Sequence, residues 1–275
     1  DQKVTVKSGR SRFTLSTLPA SEFPAIELGE NDLSFRCDQG EVKRLIDRTS
    51  FAMAQQDVRY YLNGMLWELH DDVLRVVATD GHRLAMCTRP VNIAVNGEVK
   101  QAILPRKGVI ELARLLSEPE KSVELIIGNN HIRAITDSFV FTSKLVDGKF
   151  PDYERVLPRN GDKVVLGNRE ELRQAFARTS ILSNEKYRGV RFVLTEGQVT
   201  ITANNPEQEE AEEQVAVDYQ GSPIEVGFNV SYLQDVANVI SSESLRITLA
   251  DSNSSALVED PDNGDSLYVV MPMRL

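Results

Sequence analysis

GEVKRLIDRTS, residues 40–50, returns in changed letters as REELRQAFARTS, residues 169–180. Both stretches space their apolar residues as a helix would, and both close on the triplet RTS, Arg48-Thr49-Ser50 in one and Arg178-Thr179-Ser180 in the other. Outward from them, the same order of segments follows twice. After the first come YLNGMLWEL, LRVVATDGHRLAMC, ILPRKGVIELARLL, VELIIGNNHIRAIT and FVFTSKLV; after the second come GVRFVLTE, VTITANNPEQEEAEE, IEVGFNVSYLQDVANVI, LRITLADSNSSALVE and LYVVMPMRL. Alternating apolar and polar residues parted by tight turns such as EGQ, GNN and DSN read as antiparallel strands. The chain is therefore one unit written twice, helix, strands, helix, strands. That order gives an α+β fold, with antiparallel sheets carrying two helices on one face.

The helices are amphipathic. Val42, Leu45, Ile46 and Thr49 share one face, as do Val109, Leu112 and Leu116, then Leu172, Ala175 and Phe176, then Leu233, Val236 and Ile240. Opposite faces carry Lys43, Arg44 and Arg48, then Arg106, Lys107 and Arg114, then Arg169 and Arg173. Such charges ordinarily solvate a helix, but their recurrence in successive helices also suits a basic surface that tracks a polyanion. Between the two units, KLVDGKFPDYERVLPRNGDK (144–163) is rich in Pro, Gly and charge and marks a boundary. Residues 1–30 read as two strands, VTVKSG and RFTLST, and a Pro-containing connector. Two strands bury no core alone, so they read as the tail of a further unit. The expected domains are 1–30, 31–157 and 158–275.

A length of 275 residues and 41% apolar content fit globular domains large enough to bury cores. No stretch approaches the roughly 20 apolar residues of a membrane helix, and DQKVTVKSGR has no apolar signal core. The expectation is a soluble, cytoplasmic protein without a membrane partner. Cys37 and Cys87 lack CxxC spacing, and His70, His82 and His131 form no HxxxH pair, so neither a disulfide framework nor a metal site is indicated. A net charge of −10 argues against nucleic acid only if charge is uniform. It is not: NPEQEEAEE (205–213) holds five glutamates and no Lys or Arg, whereas RSRF and EKYRGVR are locally basic.

Catalytic patterns are sparse. In ATDGHRL (78–84), Asp80 and His82 lie two apart, but they lack a third ligand, and Gly81 between them reads as a turn or bulge. No GxSxG, P-loop or GxGxxG occurs. An enzyme is disfavoured and no cofactor is expected.

QDVRYYLNGM, VATDGHRLA, PRKGVIEL, FTSKLVDGKFPDYERVLP, ILSNEKYRGVR, ANNPEQEEAEE, GFNVSY and YVVMPMRL together resemble the bacterial sliding clamp family, the beta subunits of DNA polymerase III, along the whole chain. The resemblance implies tandem DNA-clamp units, three per protomer, of which this chain carries the second, the third and the last strands of the first. It implies a non-catalytic processivity factor in DNA replication, two protomers closing head to tail around double-stranded DNA without sequence preference. Residues expected by resemblance to face DNA are Gln56, Arg59, Tyr60, Tyr61, Arg106, Lys107, Lys144, Lys149 and Lys186.

The resemblance also accounts for a chain that ends on apolar YVVMPMRL. In this family the terminal strand walls a pocket where the DNA polymerase III alpha subunit, the clamp loader, other polymerases and repair proteins insert a short peptide bearing Gln, Leu and Phe. The matching positions are Leu62, Thr79, Gly81, His82, Arg83, Leu84, Pro151, Arg155, Val156, Asn229, Tyr232, Val269, Met271, Pro272, Met273, Arg274 and Leu275. Flexible methionines suit a site that must repack around several peptides. The homodimer edge implied is Arg10, Arg12, Phe13 and Leu15 against Ile181, Leu182, Glu207, Glu209, Glu210, Glu212 and Glu213, where opposite charge sets partner and register.

Two other readings stand beside it. One is a peptide-binding adaptor unable to close a ring, and the other an enzyme using Asp80 and His82. Residues 1–30, without the body of a first unit to brace them, suggest a mainly monomeric chain or a weak dimer, since ordering a free edge strand costs about 1–2 kcal/mol per residue.

Overall fold

The computed structural model describes residues 2–23, 29, 32–93 and 99–274. It opens on a hairpin, β1 (Lys3–Ser8) and β2 (Ser11–Ser16), turned by Gly9 in the left-handed region at φ 55°. All twelve strand residues are exposed, so no face of the hairpin is packed. The expected boundary at residues 30/31 lies outside the described residues.

The first repeat runs β3 (Leu33–Asp38), α1 (Gln39–Asp47), β4 (Gly64–His70), β5 (Val73–Thr79), β6 (Arg83–Pro90), β7 (Lys100–Pro105), α2 (Arg106–Leu115), β8 (Ser122–Ile127), β9 (His131–Ile135) and β10 (Val140–Lys144). The second runs β11 (Lys163–Asn168), α3 (Arg169–Ser180), β12 (Gly189–Thr195), β13 (Gln198–Asn204), β14 (Glu210–Asp218), β15 (Ile224–Asn229), α4 (Val230–Val239), β16 (Ser244–Leu249), β17 (Ala256–Glu259) and β18 (Ser266–Val270). Each is strand, helix, four strands, helix, three strands. Two strands, β3 and β11, precede helices that the sequence reading took as the starts of the units. Their short runs LSFRCD and KVVLGN fall outside the strands and helices read from the sequence, although each alternates in burial.

Strands β10-β9-β8-β3 form one sheet, and the other twelve are joined edge to edge as β15-β12-β13-β14-β11-β16-β17-β18-β6-β5-β4-β7. The long sheet crosses from one repeat to the other where β18 pairs antiparallel with β6, Val269 opposite Leu84 and Val270 opposite Arg83. In the second repeat the alternation is regular, with Val190, Phe192 and Leu194 of β12 and Val199, Ile201 and Ala203 of β13 buried and the residues between them turned out. In β4, GMLWEL is buried throughout. One side, with Met65, Trp67 and Leu69, joins the main core with Leu45, Val109 and Leu112 of the helices; the other, with Leu66, joins a smaller cluster with Leu62, Val77, Leu84, Ile103, Phe150, Tyr153 and Val269. That smaller cluster lies under the connector between the repeats.

The two RTS triplets do one local job. Thr49 and Thr179 are fully buried and turn their hydroxyls back onto the carbonyls of Leu45 and Ala175, at 2.7 and 2.8 Å. α3 and α4 are capped by Asn168 and Asn229, whose side chains accept from the backbone N–H groups of Glu171 (3.0 Å) and Ser231 (2.9 Å). Glu170 and Glu171 add favourable charge at the N-terminus of α3.

Candidate functional site

The end of the chain is stitched to both repeats. Beyond β18, the N–H of Met271 donates to the carbonyl of His82 (3.0 Å) and that of Met273 to Gly227 of β15 (2.9 Å). The terminal segment therefore crosses from the β5–β6 turn to the edge of the second repeat. Met271 is 42% exposed, Pro272 and Met273 are half-buried and Arg274 is exposed, so apolar side chains are held at the surface by backbone bonds. Leu275 lies outside the described residues.

Beneath them, Leu62, Leu84 and Val269 are buried in the smaller cluster and make a floor. Pro151, Arg155 and Val156 stand exposed on the connector, with Arg155 paired to Asp152 at 2.8 Å. The remaining residues belong to a tightly bonded turn. The Thr79 hydroxyl donates to the Arg83 carbonyl (2.6 Å) and accepts from Gly81 N–H (3.1 Å), while Asp80 accepts from the N–H groups of His82 and Arg83 (2.9 and 3.1 Å). Gly81 sits at φ 88°, a left-handed backbone that favours glycine, and a Cβ there would meet only the movable tip of the Arg59 side chain. Asp80 is thus committed to holding a turn, its second oxygen bonded to Arg83 Nε at 3.1 Å, while His82 is exposed beside it. Among the described residues no group of three His, Cys, Asp or Glu could hold a metal ion.

Arg83 and Tyr232 close the inner end. The Arg83 guanidinium lies 4.4 Å from the Tyr232 ring centroid, pairs with Asp80 and Asp235 and donates to the carbonyl of Phe51 (2.8 Å). Asn229 spends its side-chain oxygen on the α4 cap.

The residues expected to face DNA fall into four groups. Gln56, Arg59, Tyr60 and Tyr61 lie on the loop before β4; Tyr60 is 56% exposed, its ring edge-on to the half-buried Tyr61. Arg59 donates to both carboxylate oxygens of Asp57 (3.0 and 2.9 Å), which holds that carboxyl down at about 2. Arg106 and Lys107 open α2, the first half-buried and the second exposed. Lys144 and Lys149 both line an open cavity of about 630 Å³ with Gln101, Asn130, His131 and Asp147. Lys186 is exposed, with its ammonium 5.1 Å from the ring of Tyr187.

The expected dimer edges are also at the surface. Arg10 and Arg12 are exposed on the hairpin, with Phe13 58% and Leu15 52% exposed. Ile181, directly after α3, is 74% exposed and Leu182 half-buried. Glu207, Glu209, Glu210 and Glu212 are exposed, whereas Glu213 accepts two bonds from Arg178, at 2.6 and 2.8 Å.

The basic helix faces need correction. Arg48 was read as an outward charge, yet it is 6% exposed and donates across the junction to the carbonyl of Val239 and to Ser241 (2.8 Å), with Asp260 alongside at 3.8 Å. Arg44 reaches Asp265 at 2.9 Å, and Arg169 donates to the carbonyls of Ser242 and Ala237. These arginines brace the fold. Sequence reading also passed over Glu68, the one acid inside the buried apolar run of β4; an isolated charge in such a run was the available signal.

Two family models match side by side, the central domain of the DNA polymerase III beta subunit over residues 36–152 and its C-terminal domain over 154–274. The chain belongs to the beta sliding clamp family. Like the clamps it matches, it is a non-catalytic processivity subunit of DNA polymerase III. The Pseudomonas aeruginosa beta sliding clamp is 64% identical over 275 residues, which are 100% of this chain and 75% of that protein. The Escherichia coli clamp is 54% identical over 274 residues, 100% of this chain and 74% of its own length. The crystal structure of the Pseudomonas aeruginosa subunit superposes with a TM-score of 0.96, covering 100% of this chain and 75% of that one. Another from that organism, bound to griselimycin, gives 0.94 at 64% identity, with 100% and 74% covered.

Proposed function

We propose that this clamp encircles duplex DNA as a ring of two copies and tethers replication and repair proteins through a groove at the junction of its two repeats. The division that serves this role is 1–30 as the last strands of a further clamp unit, 31–157 as the second unit and 158–275 as the third. The observation that carries the groove is the backbone stitching of Met271 to His82 and Met273 to Gly227, which holds thioethers at the surface over a floor of Leu62, Leu84 and Val269. Such a surface binds apolar anchors and adapts to different ones. A partner peptide would seat Leu or Phe there, with Arg274 beside it for polar groups. A ligand-bound relative, the griselimycin complex, is consistent with a binding site on this fold.

Exposed Lys107, Lys144, Lys149 and Lys186 would supply phosphate contacts, weak enough individually for sliding. The exposed hairpin, carrying Arg10, Arg12 and Phe13, complements Ile181 and the acidic strand β14 in both charge and apolar character. The DNA polymerase III alpha subunit, the clamp loader and other polymerases and repair proteins are the proposed partners.

Titration of a fluorescent peptide bearing Gln, Leu and Phe tests the groove. Deleting Met273, Arg274 and Leu275 is expected to abolish binding while the far-UV spectrum stays unchanged; unaltered affinity would overturn the assignment. Retention on circular DNA, compared with the same DNA linearised, tests encirclement.

A further inference from the structure

Glu68, Arg75 and Gln101 stand in one row across three strands, Glu68 of β4 directly opposite Arg75 of β5 on one side and Gln101 of β7 on the other. Tyr153 of the connector lies over that row. Its hydroxyl donates to Glu68 Oε1 and accepts from Arg75 Nη1, both at 2.7 Å, while Gln101 Nε2 donates to Glu68 Oε2 at 2.6 Å. Glu68 is 7% and Tyr153 5% exposed, so the bond between them forms away from water, while Arg75 and Gln101 reach it from the solvent side. Arg75 also faces Glu154 at 3.5 Å. Tyr153 shares its apolar cluster with Leu62, Leu84 and Val269, the floor of the groove, and its carbonyl accepts from the N–H of Val156 (3.0 Å). Pro151, Arg155 and Val156, the groove's outer wall, are thus within three residues of this one anchored ring.

Well-packed apolar groups of like size in place of the whole cluster would hold the connector about as firmly, because the cost arises only when one charge is left without its partner. What a carboxylate adds is direction. Two hydrogen bonds converging on one phenolic oxygen fix the height and rotation of Tyr153, and with it the backbone on either side. We propose that the Glu68–Tyr153–Arg75 cluster is a positioning device that sets the Pro151–Val156 wall of the peptide groove before a partner arrives. The inference rests on the groove reading above. None of the three touches the peptide: they act through the connector, lowering the ordering cost of binding.

Tyr153→Phe tests it, since the ring and its apolar packing remain and only the hydroxyl is lost. Amide hydrogen exchange should quicken about tenfold over residues 151–157 and stay unchanged in β4 and β5, and the affinity for the Gln/Leu/Phe peptide should fall about five- to tenfold, the worth of one or two buried hydrogen bonds. Glu68→Gln keeps an acceptor for the hydroxyl and should stay within about twofold of the unaltered protein. Glu68→Leu should match Tyr153→Phe, and the double variant should lose no more than either alone. Additive losses, or faster exchange without weaker binding, would overturn the proposal. Peptide binding that is lost on deleting residues 273–275 yet unchanged in Tyr153→Phe overturns this inference alone, whereas no binding by the unaltered chain overturns the groove and this inference together.

Discussion

The guanidinium of Arg83 is stacked 4.4 Å from the ring centroid of Tyr232, joining the first residue of β6 to the first turn of α4. The same side chain pairs with Asp80 and Asp235, donates to the Phe51 carbonyl and lies 5.4 Å from the Phe51 ring. One planar cation therefore touches both repeats where β6 and β18 continue a single sheet. A lysine would keep the charge and lose the fork and the stacking. Arg83→Lys is expected to destabilise the chain by about 1–3 kcal/mol. Scanning calorimetry should then show the repeats unfolding in two steps; a single transition of unchanged midpoint would refute the clasp.

The two buried threonines offer an internal comparison. Thr49 sits past the end of α1 and directs its own N–H to Ile46 (3.1 Å), so its hydroxyl is what satisfies the Leu45 carbonyl. Thr179 lies inside α3, where the regular backbone ladder serves the same carbonyl position. Thr49→Val should therefore cost more, about 1–2 kcal/mol against about 0.5 kcal/mol for Thr179→Val. Denaturant midpoints of the two variants decide it, and equal losses would contradict the argument.

For DNA, Lys107→Glu is the cleaner test of the basic face. Lys107 is exposed, whereas Arg106 beside it is half-buried, with a buried Nη1 that no hydrogen-bond partner meets among the described residues. Lys107→Glu should lower retention on DNA and flatten its salt dependence by roughly one phosphate contact, with no change in sequence preference. Arg106→Glu should do the same and also lower the melting temperature. A shift in preference toward one sequence would contradict sliding.

Alkaline pH should weaken the fold through its tyrosines. Burial pushes both Tyr153 and Tyr268 up to about 12, with the Glu68 carboxylate adding to the effect at Tyr153. A phenol held neutral in the fold but free to ionise near 10 when unfolded contributes stability that is intact below pH 10 and lost as pH rises toward 12. The melting temperature should fall across that window, and fall less in Tyr153→Phe. A pH-independent midpoint between 10 and 12 would refute it.

Most of the secondary structure was legible because periodicity is a property of a few consecutive residues. Val42, Leu45, Ile46 and Thr49 had to share a face whatever surrounded them, and all four are buried. The strands β3 and β11 were not legible, being six residues each with few fully buried side chains and lying next to helices of stronger periodicity. Of the proposed groove, the terminal segment read by its own letters only as an apolar strand, and its place in a binding wall came from the family resemblance. Tyr153 was not legible, because a tyrosine in a Pro- and Asp-containing connector looks like any surface aromatic until Glu68 and Arg75 are seen beneath it.

The sequence by itself determined the order of elements, the doubling of the unit and the segregation of acid from base, all carried by local spacing and composition. Only the tertiary structure decided which charges are free to meet a partner. Arg48 and Lys107 both read as outward positive charges on helices, yet Arg48 finds the carbonyl of Val239 across 191 positions and is withdrawn from solvent, while Lys107 stays exposed. A charge can leave water only where a particular acceptor waits to replace the hydration it loses. In this chain that acceptor lies in the other repeat, beyond the reach of any local pattern.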